Sequence, residues 1–242
     1  LIKLRGSAAD PRVVVPALLP LFPLNTPLVP GLVLPLHIFE PRYRELVAEL
    51  LARPDEEQRE FGIVGIRDGG DVGRDGLGAL YPVGTSAVLR EAERYDDGRY
   101  DIVTTGSRRF RLLDVDAGRP LLVGAVEFLE DEPGPDDRGL ARGVAEWFGR
   151  YRAALGGSAE FDAAEEAESD LPDDPAVLSY LVTAAMVLPG AERQDLLAAD
   201  TVAERLRRAR RLLVREVGLI STLGAVPALD GVGIPTAPPS AN

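Results

Sequence analysis

Prolines interrupt the apolar segment at residues 18–38 at short intervals, and this spacing strongly constrains how the chain can fold. Two apolar runs, residues 18–24 and 28–38, each contain prolines. Because proline has no backbone N–H, it blocks continuous strand pairing and is found mainly at sheet edges. Both runs therefore predict strands with an open edge, at residues 21–24 and 32–36.

A helix and a series of short strands are predicted after this segment. Pro41 suits the first turn of a helix, and the apolar spacing predicts that the helix covers residues 42–52. Strand patterns fill residues 60–129, with a hairpin turn at the Asp-Gly pair ending at Gly98 and a break at Gly106. We expect an α+β fold that begins with an antiparallel β-rich pseudo-barrel or sandwich containing one inserted helix.

Helical periodicity replaces the strand patterns after the Pro/Gly cluster at residues 131–135. The pattern predicts a small C-terminal helical bundle, whose last helix starts at Asp200 or Thr201 and is closed by Gly218. The predicted division is an N-terminal extension at 1–17, a β-rich subdomain at 18–132, a helical subdomain at 136–220 and a disordered or loosely docked tail at 224–242.

The composition argues against several classes of protein. The chain has 242 residues, no cysteine and a net charge of −12. Without cysteine it can form neither disulfide bonds nor thiolate metal sites. Its acidic charge disfavours nucleic-acid binding, because phosphate contacts supply most of that affinity. No apolar run reaches the roughly 20 residues of a membrane-spanning helix, and we find no signal peptide, so we expect a cytoplasmic protein without a membrane partner.

Several ordered blocks of this sequence resemble the N-terminal substrate-binding domain of Lon proteases. The blocks are residues 19–24, 29–31, 34–43, 61–64, 81–85, 97–100 and 106–111. The resemblance covers most of the chain, although the helical half matches in layout more than in motif. Lon proteases continue into an ATPase with a Gly-rich phosphate loop and then a Ser-Lys peptidase. Because neither follows here, we expect a stand-alone bacterial protein with this domain.

The resemblance implies a non-enzymatic module that needs no cofactor and binds unfolded or exposed protein segments. A link to protein quality control and to a protease complex would follow from it. The candidate peptide-binding residues are Leu21, Phe22, Leu32 and Leu34, and the cleft between the two halves is a second candidate. The family-motif residues expected to be structural are His37, Phe39, Glu40, Arg42, Tyr43, Gly84, Arg109 and Phe110.

His37 is the only histidine in the chain, so a Ser-His catalytic pair would have to use it. We interpret it as a structural side chain that forms a hydrogen bond at the corner between strand and helix. Phe39 and Tyr43 are expected to anchor the helix in the core. A metal site is not expected, because carboxylates would have to supply nearly all the other ligands.

The last predicted helix contains six arginines, which allow three interpretations. They form a solvated face, they pair with the acidic loop at residues 160–174, or they bind an acidic partner or nucleic acid. We favour the first, and the second over the third. For the whole protein, the alternative to peptide binding is a structural or oligomerisation subunit, followed by a hydrolase with an unrecognised site. The oligomeric state is left open.

Overall fold

The computed structural model describes residues 16–67, 76–156 and 171–223. The tail predicted from the sequence lies outside these residues, as do nearly all of the N-terminal extension and most of the acidic loop. The α+β fold class is confirmed by the strands and helices given below.

The described chain divides into two compact units. The first contains the chain up to Glu132 together with Pro189–Ala199, and the second contains Pro133–Leu188 together with the chain from Asp200 onwards. Each unit has its own buried side chains, so each is described in turn.

Strands form most of the first unit. Its main elements are β1 (Ala17–Leu24), β2 (Val33–Ile38), α1 (Pro41–Leu51), β3 (Glu60–Gly65), β4 (Val83–Arg94), β5 (Tyr100–Asp116) and β6 (Val123–Phe128). Five strands close into a ring in the order β5-β4-β3-β1-β6, because β6 also pairs with β5. The sheet is mixed, since β1 and β3 run parallel while the other strand pairs are antiparallel. β2 lies outside the ring and is paired with β5.

β5 is a single strand of 17 residues, so the predicted break at Gly106 is wrong. A Cβ atom placed on Gly106 would lie 2.4 Å from the backbone oxygen of Val29. Glycine therefore allows a neighbouring segment to approach the strand closely, and it does not end the strand.

Two clusters of buried apolar side chains stabilise the first unit. The first joins α1 to the sheet through Tyr43, Leu46 and Leu50. The second includes Leu21 and Phe110, both fully buried. Full burial of one such side chain contributes about 1.5–3 kcal/mol, so these contacts determine which faces of α1 and the strands point inwards.

A short helix from the C-terminal part of the sequence, α4 (Gly190–Leu197), belongs to the first unit. Its Gln194 donates a hydrogen bond of 2.8 Å from Nε2 to the Val83 carbonyl. Arg109 donates to two carbonyls at and just beyond the end of α4. From the sequence this helix is predicted to belong to the segment 136–220, because its apolar spacing does not reveal which core it joins.

The second unit consists of helices in its described part. They are α2 (Asp137–Gly156), α3 (Pro175–Ala185) and α5 (Val202–Leu223), and α2 and α3 each contact α5. α5 continues past Gly218, where the sequence analysis ended it, and Ile220 is almost completely buried. Burial of that side chain outweighs the roughly 1 kcal/mol that an internal glycine costs a helix. None of the described helices is long and apolar enough to cross a bilayer.

One arginine of α5 does not lie on a solvated face. Arg205 is fully buried, donates a 2.9 Å hydrogen bond to Ser179 Oγ, and lies with its guanidinium carbon 4.0 Å from the centre of the Tyr180 ring. The predicted solvated face is therefore wrong at this position. A guanidinium can stack on an aromatic ring and form directed hydrogen bonds at the same time, which makes such burial tolerable.

Candidate functional site

β2 combines an unpaired edge with exposed apolar side chains. Among the described strands it pairs with β5 alone, so its other edge has no strand partner there. Val33 is 56% exposed and Phe39, just beyond the strand, is 61% exposed. Open strand edges and exposed apolar patches are both typical of surfaces that bind another chain. We call residues 32–39 the β2 surface.

The side chains of the β2 surface alternate between two faces, as the period of a strand requires. Leu32, Leu34 and Leu36 are half-buried and pack against the cluster that holds α1. Val33 and Pro35 are exposed on the opposite face. The three leucines therefore keep part of their apolar surface accessible to solvent.

A polar network connects the end of β2 with the hairpin between β4 and β5. The His37 Nδ1 atom lies 2.5 Å from Asp101 Oδ1, and the Tyr95 hydroxyl donates a 2.5 Å hydrogen bond to Asp101 Oδ2. Arg99 Nη1 lies 3.3 Å from His37 Nε2. Because arginine can only donate, Nε2 is the acceptor, and the neutral imidazole carries its hydrogen on Nδ1 and donates it to Asp101.

The hydrogen bonds of this network shift the pKa values of the groups involved. The bonds from Tyr95 and then His37 lower the pKa of Asp101, and the bond to Asp101 raises the pKa of Tyr95. The backbone N–H of Arg99, followed by its guanidinium, lowers the pKa of Asp97. Both carboxylates are therefore ionised at neutral pH: Asp101 connects the hairpin to His37 of β2, and Asp97 binds Arg99 within the hairpin.

The structure separates the four candidate peptide-binding residues. Leu21 is fully buried and offers no surface to a ligand, so we withdraw it as a contact residue. Phe22 is partly buried and stacks on Tyr43, with their ring centres 4.1 Å apart. Leu32 and Leu34 lie in the β2 surface. Alternation along β1 explains the difference, because Leu21 and Phe22 point to opposite faces.

Among the residues expected to be structural, Phe39 departs most clearly from its predicted position. Its 61% exposure shows that the predicted core position is wrong. The helix begins only at Pro41, so Phe39 lies outside the helical period that buries Tyr43. Next to it, Glu40 and Arg42 form a 2.7 Å ion pair at the start of α1.

The remaining family-motif residues lie inside the first unit. A Cβ atom on Gly84 would lie 2.5 Å from both the Ile63 oxygen and the Phe110 ring, so this position accepts only glycine without a shift. Arg109 is 3% exposed and its Nη2 lies 3.0 Å from the Asp131 carboxylate. These residues position strands and α4.

Val33, Tyr95 and Asp101 are not among the site residues predicted from the sequence. Val33 could have been found from the two-residue period of a strand, since it alternates with Leu32 and Leu34. The contact between His37 and Asp101 joins residues 64 positions apart, and no sequence pattern connected them.

An open depression of about 460 Å³ lies elsewhere on the first unit. It is lined by Leu18, Leu19 and Pro20 of β1 and by charged and amide side chains at positions 53, 57, 58 and 60. In the described part of the chain, no group of three or more His, Asp or Glu side chains is arranged to hold a metal ion.

Comparison with known proteins identifies the domain. The sequence profile of the ATP-dependent protease La (LON) substrate-binding domain matches residues 18–215. The chain is 28% identical over 213 residues to a Lon protease of Anaeromyxobacter dehalogenans, covering 84% of this chain and 24% of that protein. It is 33% identical over 141 residues to Lon protease 1 of Thermus thermophilus, covering 57% of this chain and 18% of that protein.

Solved structures agree with this assignment. The crystal structure of a Lon N-terminal domain protein from Xanthomonas campestris matches with a TM-score of 0.55 and 25% identity, over 82% of this chain and 98% of that one. The N-terminal domain of a Mycobacterium avium complex Lon protease shares the fold, with a TM-score of 0.60 and 19% identity over 84% of this chain and 98% of that one. The chain spans at most about a quarter of the curated Lon proteases that it matches. It belongs to the family of the ATP-dependent protease La (LON) substrate-binding domain.

Proposed function

We propose that this protein binds exposed segments of other polypeptides at the β2 surface and performs no chemistry on them. The observation that carries the proposal is the combination, in residues 32–39, of a strand edge without a described strand partner and the exposed side chains of Val33 and Phe39. Family membership supports a substrate-binding role, since the matching domain is described by that activity.

The polar network next to the β2 surface fits binding better than catalysis. Both ring nitrogens of His37 are engaged, one by Asp101 and the other by Arg99. A general base must instead reach the proton that it removes. In this proposal the network keeps the hairpin at residues 95–99 in place beside the binding surface.

Binding to an unfolded protein tests the proposal directly. The probe is reduced and carboxymethylated lactalbumin labelled with fluorescein, and the measurement is fluorescence anisotropy during titration with the purified protein. The double variant Val33→Ser/Phe39→Ser should weaken binding about ten-fold or more, because it removes two large exposed apolar side chains of the surface.

Two single variants serve as matched controls. Leu113→Ser removes an apolar side chain of β5 that is 41% exposed, and binding should stay the same. Leu18→Ser removes a side chain as exposed as Phe39, at 61%, from the open depression. Unchanged binding by the double variant, with circular dichroism showing a folded protein, would overturn the proposal. A loss of binding in Leu18→Ser alone would move the site to the depression.

We also propose that the protein acts in the cytoplasm and delivers bound segments to a protease. The support is its membership in a family described as part of an ATP-dependent protease. Proteolysis of the same labelled lactalbumin by a Lon protease from the source organism, with and without this protein, measures delivery. The rate should rise with the wild type and not with Val33→Ser/Phe39→Ser.

A further inference from the structure

We propose that the bound segment is an extended peptide with apolar side chains at every second position, which adds to β2 as a new strand. This inference rests on the proposed function and specifies the class of ligand. It follows from the direction of the backbone groups, the two faces of β2 and the charge beside it.

The backbone of β2 directs alternate residues towards the open edge. The Gly106 N–H of β5 donates a 2.9 Å hydrogen bond to the Leu32 carbonyl, so the backbone of Leu32 faces β5. In an antiparallel pair this direction alternates, and the backbone groups of Val33, Pro35 and His37 face the open edge. An incoming strand can accept hydrogen bonds from the N–H groups of Val33 and His37, about 13 Å apart.

The two faces of β2 determine which side chains the ligand needs. An added strand would place every second side chain beside Leu32, Leu34 and Leu36, which the present fold leaves half-buried. Apolar ligand side chains there would cover these leucines and gain about 25 cal/mol for each Å² removed from water. The intervening Thr and Lys side chains would lie beside Val33 and Pro35 on the opposite face, where their methyl and methylene groups contact Val33 while their polar ends stay in solvent.

Pro35 argues against a second copy of the chain as the occupant. It provides a carbonyl but no N–H at the middle of the open edge. If two β2 strands paired across a twofold axis centred on Pro35, the two prolines would face each other without any hydrogen bond between them. A foreign strand loses only one bond at this position, because its own N–H can still donate to the Pro35 carbonyl.

The charge beside the β2 surface favours a neutral or basic ligand. Residues 90–101, which form the end of β4, the hairpin and the start of β5, contain five carboxylates and three arginines. Across the strands, Asp101 of β5 is paired with His37 of β2 on one side and with Glu93 of β4 on the other. An acidic segment would be repelled here, and the whole chain carries a net charge of −12.

Peptides of identical composition but different order test the inference. The first alternates Val or Leu with Ser, Thr or Lys over about nine residues, enough to span the six residues of β2. The second contains the same residues with the apolar ones in adjacent pairs. Two further versions of the first carry N-methyl groups on every odd or on every even amide. Titration of fluorescein-labelled peptides with the wild type and with Val33→Ser/Phe39→Ser gives the affinities.

The expected result is that the alternating peptide binds about ten-fold more tightly than the permuted one and that only one N-methyl series abolishes binding. Equal binding of both orders, or of both N-methyl series, would overturn strand addition. If all peptides then still depended on Val33 and Phe39, the proposed function would stand without this inference. If neither the peptides nor unfolded lactalbumin bound the wild type, both would fail.

Discussion

Arg109 on β5 donates a 2.7 Å hydrogen bond from Nη1 to the carbonyl of Ala199, which follows 90 positions later in the sequence. The same guanidinium also donates to the carbonyls of Leu197 and Glu130 and pairs with the Asp131 carboxylate. One buried side chain thus attaches α4 and the end of the β-rich segment to the sheet. The sequence block at residues 106–111, one of those that resemble the Lon family, supplies this connection.

Replacing this arginine tests how much the connection contributes. Arg109→Met should lower the free energy of unfolding by about 3 kcal/mol, because it leaves buried carbonyls without their donor. Arg111→Met, on the same strand as Arg109, removes a half-exposed ion pair with Glu127 of β6 and should cost less than about 1 kcal/mol. Urea unfolding followed by circular dichroism measures both. Equal losses for the two variants would contradict the structural role of Arg109.

Gly84 should be among the least replaceable positions of the first unit. A methyl group there would meet the Ile63 carbonyl oxygen and the Phe110 ring, each 2.5 Å away. Gly84→Ala is expected to cost about 2–3 kcal/mol through overpacking, measured by urea unfolding. Gly78→Ala is the control, since nothing lies within 4 Å of its added Cβ, and it should stay within about 0.5 kcal/mol of the wild type.

The hydrogen bond between Tyr95 and Asp101 should stabilise the fold only over a defined pH range. It lowers the folded-state pKa of Asp101, so its contribution is full above the unfolded pKa of about 3.9 and is lost as the pH falls through the lower folded value. It raises the folded-state pKa of Tyr95, so its contribution is also lost as the pH rises through that value, above about 10.

Tyr95→Phe removes this bond and keeps the ring. The free energy of unfolding of the variant should be lower than that of the wild type at about pH 7, and the difference should be smaller at about pH 3, below the unfolded pKa of the Asp101 carboxyl. Because both groups are exposed to solvent, the difference at neutral pH should be small. A difference that stayed constant between these pH values would show that the hydroxyl acts through something other than Asp101.

The sequence indicated the elements more reliably than their assembly. The start of α1 at Pro41 and the turn at Gly98 follow from local backbone chemistry, and both could be predicted. The role of Gly106 could not be predicted from the sequence, because its close contact with Val29 involves a segment about 75 positions earlier in the chain. The grouping of α4 with the strands depends on Arg109 and Gln194, whose polar contacts leave no periodic pattern.

The candidate site was predicted in part. Leu32 and Leu34 lie in the β2 surface, whose open edge was predicted from the prolines of the apolar segment. β1, also predicted to have an open edge at residues 21–24, pairs with β3 there and with β6 at residues 17–20. Phe39 was expected in the core, because aromatic residues near a helix usually pack there. Phe39 is exposed because it lies at the junction between β2 and α1. There the two-residue alternation of the strand has ended and the helical periodicity has not yet begun.

Arg205 is fully buried, whereas the other arginines of α5 are partly or fully exposed to solvent. Arg205→Ala should lower the free energy of unfolding of the second unit by about 3 kcal/mol or more, because it leaves a cavity over Tyr180 and removes the hydrogen bond to Ser179. Arg211→Ala, on an exposed position of the same helix, should change it by less than about 0.5 kcal/mol. Trp147, the only tryptophan of the chain, lies in this unit, so its fluorescence reports the unfolding of the unit in urea.

Arg205→Lys completes the test of this position, since a retained charge without the planar guanidinium should recover only part of the lost stability. Full recovery by lysine would show that charge alone, and not stacking on the ring, stabilises this position.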